Sequence, residues 1–334
     1  MLSGPNGAGK TSLLEAIYLA STSRSFRAPD LAACVRHGAA GFHVAAEAGE
    51  DGETRLELGW QPGRRLRLAG GVELALGEHV AVQPLVLWSA AEAELLGGAP
   101  QHGRRLIDRG LVSTQPRALQ VIGRYRQVLE QKRQLLARGR GAPGADGALE
   151  TWNELLAAAA ADLVALRAGY AIALGEALAR VRDRTPLALP PLAVEYLPSP
   201  RAGVEGRETI LATLARIASR ERERGVPLLG PHRDGLRLLW GGREAKTVAS
   251  AGESKAFGLL LAAAQGEVVT AGGREPLYLL DDADAELDRG RLAAAWEAFS
   301  GAGQLLATTS RPQAWEGVPR EASWAVEGGR ARPL

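Results

Sequence analysis

The stretch that decides the fold is "SGPNGAGKTSLLEAIYLAS", residues 3–21. Gly4-Pro5-Asn6-Gly7-Ala8-Gly9-Lys10-Thr11 fills every fixed position of GxxxxGK[ST] and runs into an apolar stretch with helical spacing, Leu13, Leu14 and Ile17. In that context it is a Walker A loop: the glycines let successive backbone N–H groups curl round phosphate oxygens, and the helix that follows adds the positive end of its dipole. Gly4, Asn6, Gly7, Gly9, Lys10, Thr11 and Ser12 are the candidate ATP-binding residues, with Lys10 reaching the terminal phosphates and Thr11 holding Mg²⁺. Such a loop ordinarily hangs on a central buried strand, and only Met1-Leu2-Ser3 precede it. That strand is therefore expected to be absent, and the chain is read as a fragment or as one with a misassigned start.

The second half of the site is expected in "REPLYLLDDADAELD", residues 274–288. Four apolar residues followed by two carboxylates are the pattern of a Walker B strand, in which Asp281 binds Mg²⁺ and Asp282 orients or deprotonates the attacking water. The long separation from the loop separates ABC-type ATPases from most other P-loop proteins. In that arrangement a signature segment upstream of Walker B touches the γ-phosphate of ATP held by the other protomer. Here "SAGESKAFGLLLAAAQ", residues 250–265, has small residues and then a helix N-terminus able to take an anion, so Ser250, Gly252 and Glu253 are candidates acting in trans.

With 334 residues the chain is long for one compact core. A formal charge of +2 gives no global field toward nucleic acid, so any such binding must come from local patches. A single cysteine, Cys34, suits a reducing compartment. The run "VAVQPLVLWSAA", residues 80–91, is too short to span a bilayer, and a soluble, cytoplasmic protein is expected. Alternating segments at 41–49, 53–60 and 64–74 predict antiparallel strands. The spacing of Leu119, Ile122, Tyr125, Leu129 and Leu136 predicts a helix, and further helices are expected over about 149–181 and 207–224, with one short strand, "LAVEYL", between them. The simplest architecture is an α/β P-loop ATPase domain of ABC type, residues 1–100 and 225–334, interrupted by a mainly helical arm, residues 101–224.

Several further segments, "GKTSLLEAIYLAS…SRSFR", "VRHG", "LLGGAPQHGRRLID", "YRQVLEQKRQLL", "WNELLA" and "GPHRDGL", together with "SAGESK" and "LYLLDDADAELD", resemble the bacterial RecF family in order and spacing over nearly the whole chain. The resemblance implies a head like those of SMC proteins without their coiled coil. It implies ATP-dependent homodimerisation on double-stranded and gapped DNA, slow hydrolysis, and cooperation with RecR and RecO to place RecA at single-strand gaps. Departures from the family pattern are equally specific. Ala251 and Glu253 stand where the family usually has Arg and Gln, and the negative charge of Glu253 near a γ-phosphate is expected to weaken the ATP-bound dimer unless Lys255 compensates. Small residues around Ala90 and Ala91 replace a Pro-Glu pair, leaving Gln83 as a displaced candidate for the Q-loop glutamine. Gly235 stands where a second Asp is common.

Arg104, Arg105, Arg124, Lys132 and Arg133 are candidate DNA contacts, with Arg109, Arg126, Arg24, Arg27, Arg36 and His37 nearby in the same reading; exposed helix faces are normally charged, which is the competing explanation. His232 is weighed as catalytic against a structural role at a turn, and Arg233 and Asp234 are expected to be able to pair with each other. An ABC transporter subunit fails on the helical insertion and on "GPHRD". The alternative that stands is a nucleotide-binding adaptor with little hydrolysis that recruits RecR. Replacing Lys10 by Ala is expected to lower ATP turnover by at least about 100-fold; unchanged turnover in a coupled phosphate-release assay contradicts the site assignment.

Overall fold

The computed structural model describes residues 1–49, 52–89, 92, 100–137, 145–200 and 206–334. Its main sheet has six strands in the order Arg330–Pro333, Trp324–Glu327, Leu2–Ser3, Leu305–Thr309, Leu277–Leu280, Leu85–Trp88. All neighbours are parallel except the C-terminal hairpin of the first two. The apolar runs "LVLW" and "LYLL" are buried along their whole length, as parallel strands covered on both faces require.

The strand leading into the loop is present as two residues at the middle of this sheet, which corrects the expectation that it is absent. Leu2 pairs with Thr308 on one side and Trp324 on the other, and Ser3 with Thr309 and Ala325. Pairing on both sides satisfies the backbone of so short a strand.

Two helices cover the sheet. On one face the helix Lys10–Thr22 places Leu14 and Tyr18 with Leu85, Leu87, Leu277, Leu279 and Val326. On the other lies Ala251–Ala271, seated through glycine notches. A Cβ at Gly258 would lie 1.9 Å from the Trp88 ring and one at Gly266 1.6 Å from the Tyr278 hydroxyl, so both positions must lack a side chain for the helix to reach the sheet. The alternating segments form an antiparallel sheet of Phe42–Ala48, Thr54–Gln61, Arg64–Ala69 and Val72–Glu73, with Leu56 and Leu58 fully buried.

The interval expected to form the arm contains the helices Pro100–Thr114, Ala118–Ala137, Ala145–Arg184 and Arg207–Arg224, of which the first packs Leu106, Ile107 and Leu111 into the core that holds Trp88 and Phe257. The 40-residue helix Ala145–Arg184 is long and apolar enough to cross a membrane by length and composition. Many of its apolar residues are used inside the protein: Leu156, Ala160 and Leu163 join one core with Ile122, Tyr125 and Leu214, while Leu174, Ala177, Leu178 and Val181 join the core that contains Trp88, Phe257 and Leu280; Leu155 and Ile172 are exposed. One helix thus belongs to both cores.

The "GPHRD" segment leads into the strand Gly235–Trp240, which pairs antiparallel with Leu192–Leu197. Asp234 is fully buried and accepts from Arg167 Nη1 at 2.8 Å, from the Ser199 amide at 2.8 Å and from the Tyr196 hydroxyl, so it does not pair with its neighbour Arg233. Arg167 also pairs with Asp108 at 2.9 Å and donates to the Pro231 carbonyl at 2.7 Å. The His232 ring lies 2.7 Å from the Tyr125 hydroxyl, and burial pulls its pKa down to about 4, leaving a neutral imidazole in a packed junction rather than at the phosphate loop.

Lys132 requires a correction. Its side chain is completely buried, 2.6 Å from an equally buried Glu221, and cannot touch DNA. The helix that presents Arg124 and Arg133 to solvent turns Lys132 inward, where it bridges Ala118–Ala137 to Arg207–Arg224. Glu221 also accepts from the Leu228 amide at 2.8 Å. Removing one partner strands the other charge, so Lys132→Met is expected to cost about 3–5 kcal/mol of stability. Combining it with Glu221→Gln, which keeps the acceptor for Leu228, should recover most of that loss; urea unfolding of the two variants, with the double no more stable than the single, would contradict the pairing.

Candidate active site

The loop is shaped by the C-terminal hairpin as much as by its own glycines. A Cβ at Gly4 would lie 2.4 Å from the Val326 carbonyl, and one at Gly9, whose φ is +102°, would lie 2.8 Å from the Gly329 backbone. The Gly329 amide donates to the Ala8 carbonyl at 2.8 Å. Asn6, Gly7 and Ser12 are exposed at the mouth. The Lys10 ammonium donates to the carbonyls of Gly4 at 2.8 Å and Pro5 at 3.1 Å, so it already lies across the loop it would share with a phosphate.

Walker A and Walker B meet through hydroxyls. Thr11 Oγ1 donates to Asp281 Oδ1 at 3.0 Å, bringing together residues 270 positions apart. Thr308 Oγ1 donates to the same oxygen at 2.7 Å and accepts from the Asp282 amide at 2.8 Å. Asp282 has φ 47°, a left-handed conformation that costs a non-glycine residue about 1–2 kcal/mol. Its amide is held by Thr308, and its carbonyl accepts from Lys255 Nζ at 2.8 Å. Burial first, and then the charge of Asp281, raise the Asp282 carboxyl above the usual carboxylate range, which favours a group able to take a proton.

One carboxylate and one hydroxyl are a suitable protein share for Mg²⁺, which keeps several waters and takes further oxygens from substrate phosphates. Thr11 and Asp281, which lie within hydrogen-bond distance of each other, would supply that share. Among the described residues no cluster of three or more His, Cys, Asp or Glu side chains suited to a metal is present, so nothing here resembles an all-protein metal cage.

Ser250 and Glu253 begin the helix Ala251–Ala271 as a capping box. The Glu253 carboxylate accepts from the Ser250 amide at 2.8 Å and its hydroxyl at 2.7 Å, while the Glu253 amide donates back to that hydroxyl at 3.4 Å. Glu253 therefore serves its own helix terminus, and these hydrogen bonds hold its carboxyl below the usual range. Lys255 is turned inward to Asp282 and does not offset the charge of Glu253 at the helix end. At Gly252 a Cβ would lie 3.1 Å from Arg291 and 3.2 Å from the Glu286 carbonyl. Among the described residues no hydrogen bond joins Ser250, Gly252 or Glu253 to the phosphate loop.

Gln83 stands at the entry of Leu85–Trp88, a strand parallel to Leu277–Leu280. It is therefore at the opposite end of the sheet from Asp281, with its amide donating to the Pro84 carbonyl at 3.2 Å, and is not a Q-loop residue. Ala90 and Ala91 lie outside the described residues, as does the segment 93–99.

The remaining basic candidates separate by what they touch. Arg104 donates to the Asp234 carbonyl at 2.7 Å, and Arg109 pairs with buried Glu92 at 2.6 Å. Arg124 lies 3.8 Å from Asp162 and Arg133 2.9 Å from Glu130, all well exposed. Arg105 is exposed and, with Arg24, Arg27, Arg65, Arg109 and Arg126, lines a cleft of about 690 Å³ between the end of the loop helix and the arm. Arg65 is the member of this group that the sequence did not single out.

Thr308→Val removes the hydroxyl that serves both aspartates at nearly unchanged volume. ATP turnover is expected to fall about 10–100-fold, the usual effect of removing such a supporting partner, with nucleotide affinity little changed; a variant with full turnover contradicts the role given to Thr308.

No family model matches the chain. The chain is 33% identical over 339 residues to the DNA replication and repair protein RecF of Streptomyces avermitilis, covering 98% of this chain and 91% of that one. Among solved structures it is similar to the recombination mediator protein RecF with ATP, in the RecFOR pathway, at a TM-score of 0.85 and 24% identity, covering 100% of this chain and 90% of that one. A second structure of that protein, RecF-ATPrS, gives a TM-score of 0.83 at 22% identity, covering 100% and 92%. The fold is thus the ABC-type ATPase fold, and the relationship extends from the phosphate loop through the arm to the C-terminal hairpin. The chain belongs to the RecF family of DNA replication and repair proteins.

Proposed function

We propose that this protein is an ATP-dependent DNA-binding protein of recombinational repair, which dimerises on DNA with ATP and helps RecO and RecR load RecA at single-strand gaps. The observation that supports the nucleotide part is the contact of Thr11 with Asp281, which brings the two candidate Mg²⁺ ligands together from positions 270 residues apart. In the reading, Gly4 to Ser12 bind the phosphates, Lys10 leaves its carbonyls for the terminal phosphates, Thr11 and Asp281 hold Mg²⁺, and Asp282 orients the attacking water. Mg²⁺ supplies neutralisation of charge developing on the phosphate oxygens. Slow turnover fits an aspartate rather than a longer glutamate at 282. Ser250 and Gly252 complete the partner's site.

For DNA, the arginine-lined cleft supports backbone contacts through Arg24, Arg65 and Arg105, which have no carboxylate within ion-pair distance among the described residues. Arg104, Arg124 and Arg133 remain weaker candidates because each already has a protein partner. A second reading, the adaptor with little hydrolysis that recruits RecR, is favoured by one observation: the Ser250 hydroxyl is already hydrogen-bonded by Glu253.

Fluorescence anisotropy on gapped duplex DNA with and without ATP tests the DNA part. ATP should tighten binding, and Arg105→Glu should weaken it across sequences and reduce the salt slope by about one unit per lost phosphate contact. ATP-independent binding, or an unchanged salt slope, contradicts the proposal. Measured turnover separates the two readings: hydrolysis stimulated by DNA supports the first, and its absence supports the adaptor.

A further inference from the structure

We propose that Lys255 is a positioning residue that couples the two nucleotide sites of the dimer, by holding the catalytic aspartate of its own chain to the helix whose start serves the partner's site. The proposal rests on the functional reading above, in which the signature acts in trans.

Lys255 lies one and a half turns into the helix that Ser250 caps. Its side chain is nearly completely buried, an uncommon place for an ammonium, and its hydrogen bond goes to the Asp282 carbonyl at 2.8 Å. The ammonium also sits 5.9 Å from the centre of the Trp88 ring, on the sheet side of the helix. Asp281, Asp282, Asp284 and Glu286 surround it with negative charge. A lysine placed for stability alone has carboxylates to pair with here, yet its bond is to a peptide carbonyl of a residue in the left-handed region.

Two side chains therefore hold the backbone of Asp282, together with the Ala285 amide, which donates to the same carbonyl as Lys255 at 3.1 Å. Thr308 comes from the neighbouring strand, which is part of the rigid sheet. Lys255 comes from the signature helix, which in the proposed function faces the partner. The first turn of that helix also abuts the segment after Asp282, since at Gly252 even a methyl group would press on the Glu286 carbonyl and Arg291. A shift of the helix start toward a partner-held phosphate pulls on the Asp282 carbonyl through the ammonium, while Thr308 holds its amide on the other side. Engagement of the signature at one site is thereby felt at the catalytic carboxylate of the other. The sites of a symmetric dimer are linked twice by this contact, once in each chain.

The test uses the full chain and compares Lys255→Met, which keeps the stem and loses the donor, with Lys255→Gln, which keeps an N–H donor. ATP titrations of hydrolysis on duplex DNA give turnover, half-saturation and Hill coefficient, and sedimentation gives ATP-dependent association. Lys255→Met is expected to associate and half-saturate within about twofold of the unsubstituted chain while turnover falls about 10-fold or more and the Hill coefficient drops from near 2 toward 1. Lys255→Gln should restore part of both. An active unsubstituted chain whose Lys255→Met variant keeps turnover and cooperativity overturns this proposal alone. Loss of nucleotide affinity in parallel in both variants overturns it as well, since that is the result of removing packing support. An unsubstituted chain that neither associates nor turns over ATP overturns the functional reading and this inference with it.

Discussion

One hydroxyl, Thr308 Oγ1, joins the parts on which the site depends. It donates to Asp281 and accepts from the amide of Asp282, while Asp281 in turn accepts from Thr11 at the start of the loop helix. Thr308 stands at the C-terminal end of a strand paired with Leu2 on one side and running beside the Walker B strand on the other. A parallel sheet places the ends of its strands together, and the loop and both aspartates emerge at the same edge. The loop is thus held in the sheet by two residues of strand, and from behind by the hairpin turn at Gly329.

Much of this was legible in the sequence because the signals are local. The loop needs its glycines and Lys-Thr at fixed spacing, the Walker B strand needs an apolar run ending in carboxylates, and the amphipathic repeat from Leu119 to Leu136 appears as the helix Ala118–Ala137. The strand "LAVEYL" and the helix Arg207–Arg224 occur with the expected bounds. What was not legible depends on pairing across the chain. The C-terminal hairpin carries a Gly-Gly pair as its turn signal, but nothing local says that this turn closes on the phosphate loop. Nor does anything adjacent to Lys132 reveal Glu221 as its buried partner. The helix Pro100–Thr114 went unpredicted as well.

In two places a polar group weighed for a ligand or for catalysis is also used by the protein itself. Ser250-Ala251-Gly252-Glu253 is an S-x-x-E capping box, a pattern visible in the sequence, and the carboxylate that was expected to oppose a phosphate is occupied by its own helix end. The "GPHRD" histidine and aspartate likewise belong to a buried network with Arg167, Tyr125 and Tyr196. Breaking such a network by removing one member leaves a charge without compensation, which gives the junction a reason to be built from these residue types in this order.

The central claim is that ATP brings two chains together so that each signature completes the other's site. Sedimentation equilibrium on short gapped duplex DNA, with the chain in Mg²⁺ and ATP and again with ADP, measures this directly. The account predicts two chains per DNA with ATP and one with ADP. A single chain per DNA in both, with ATP shown to be bound, would contradict it.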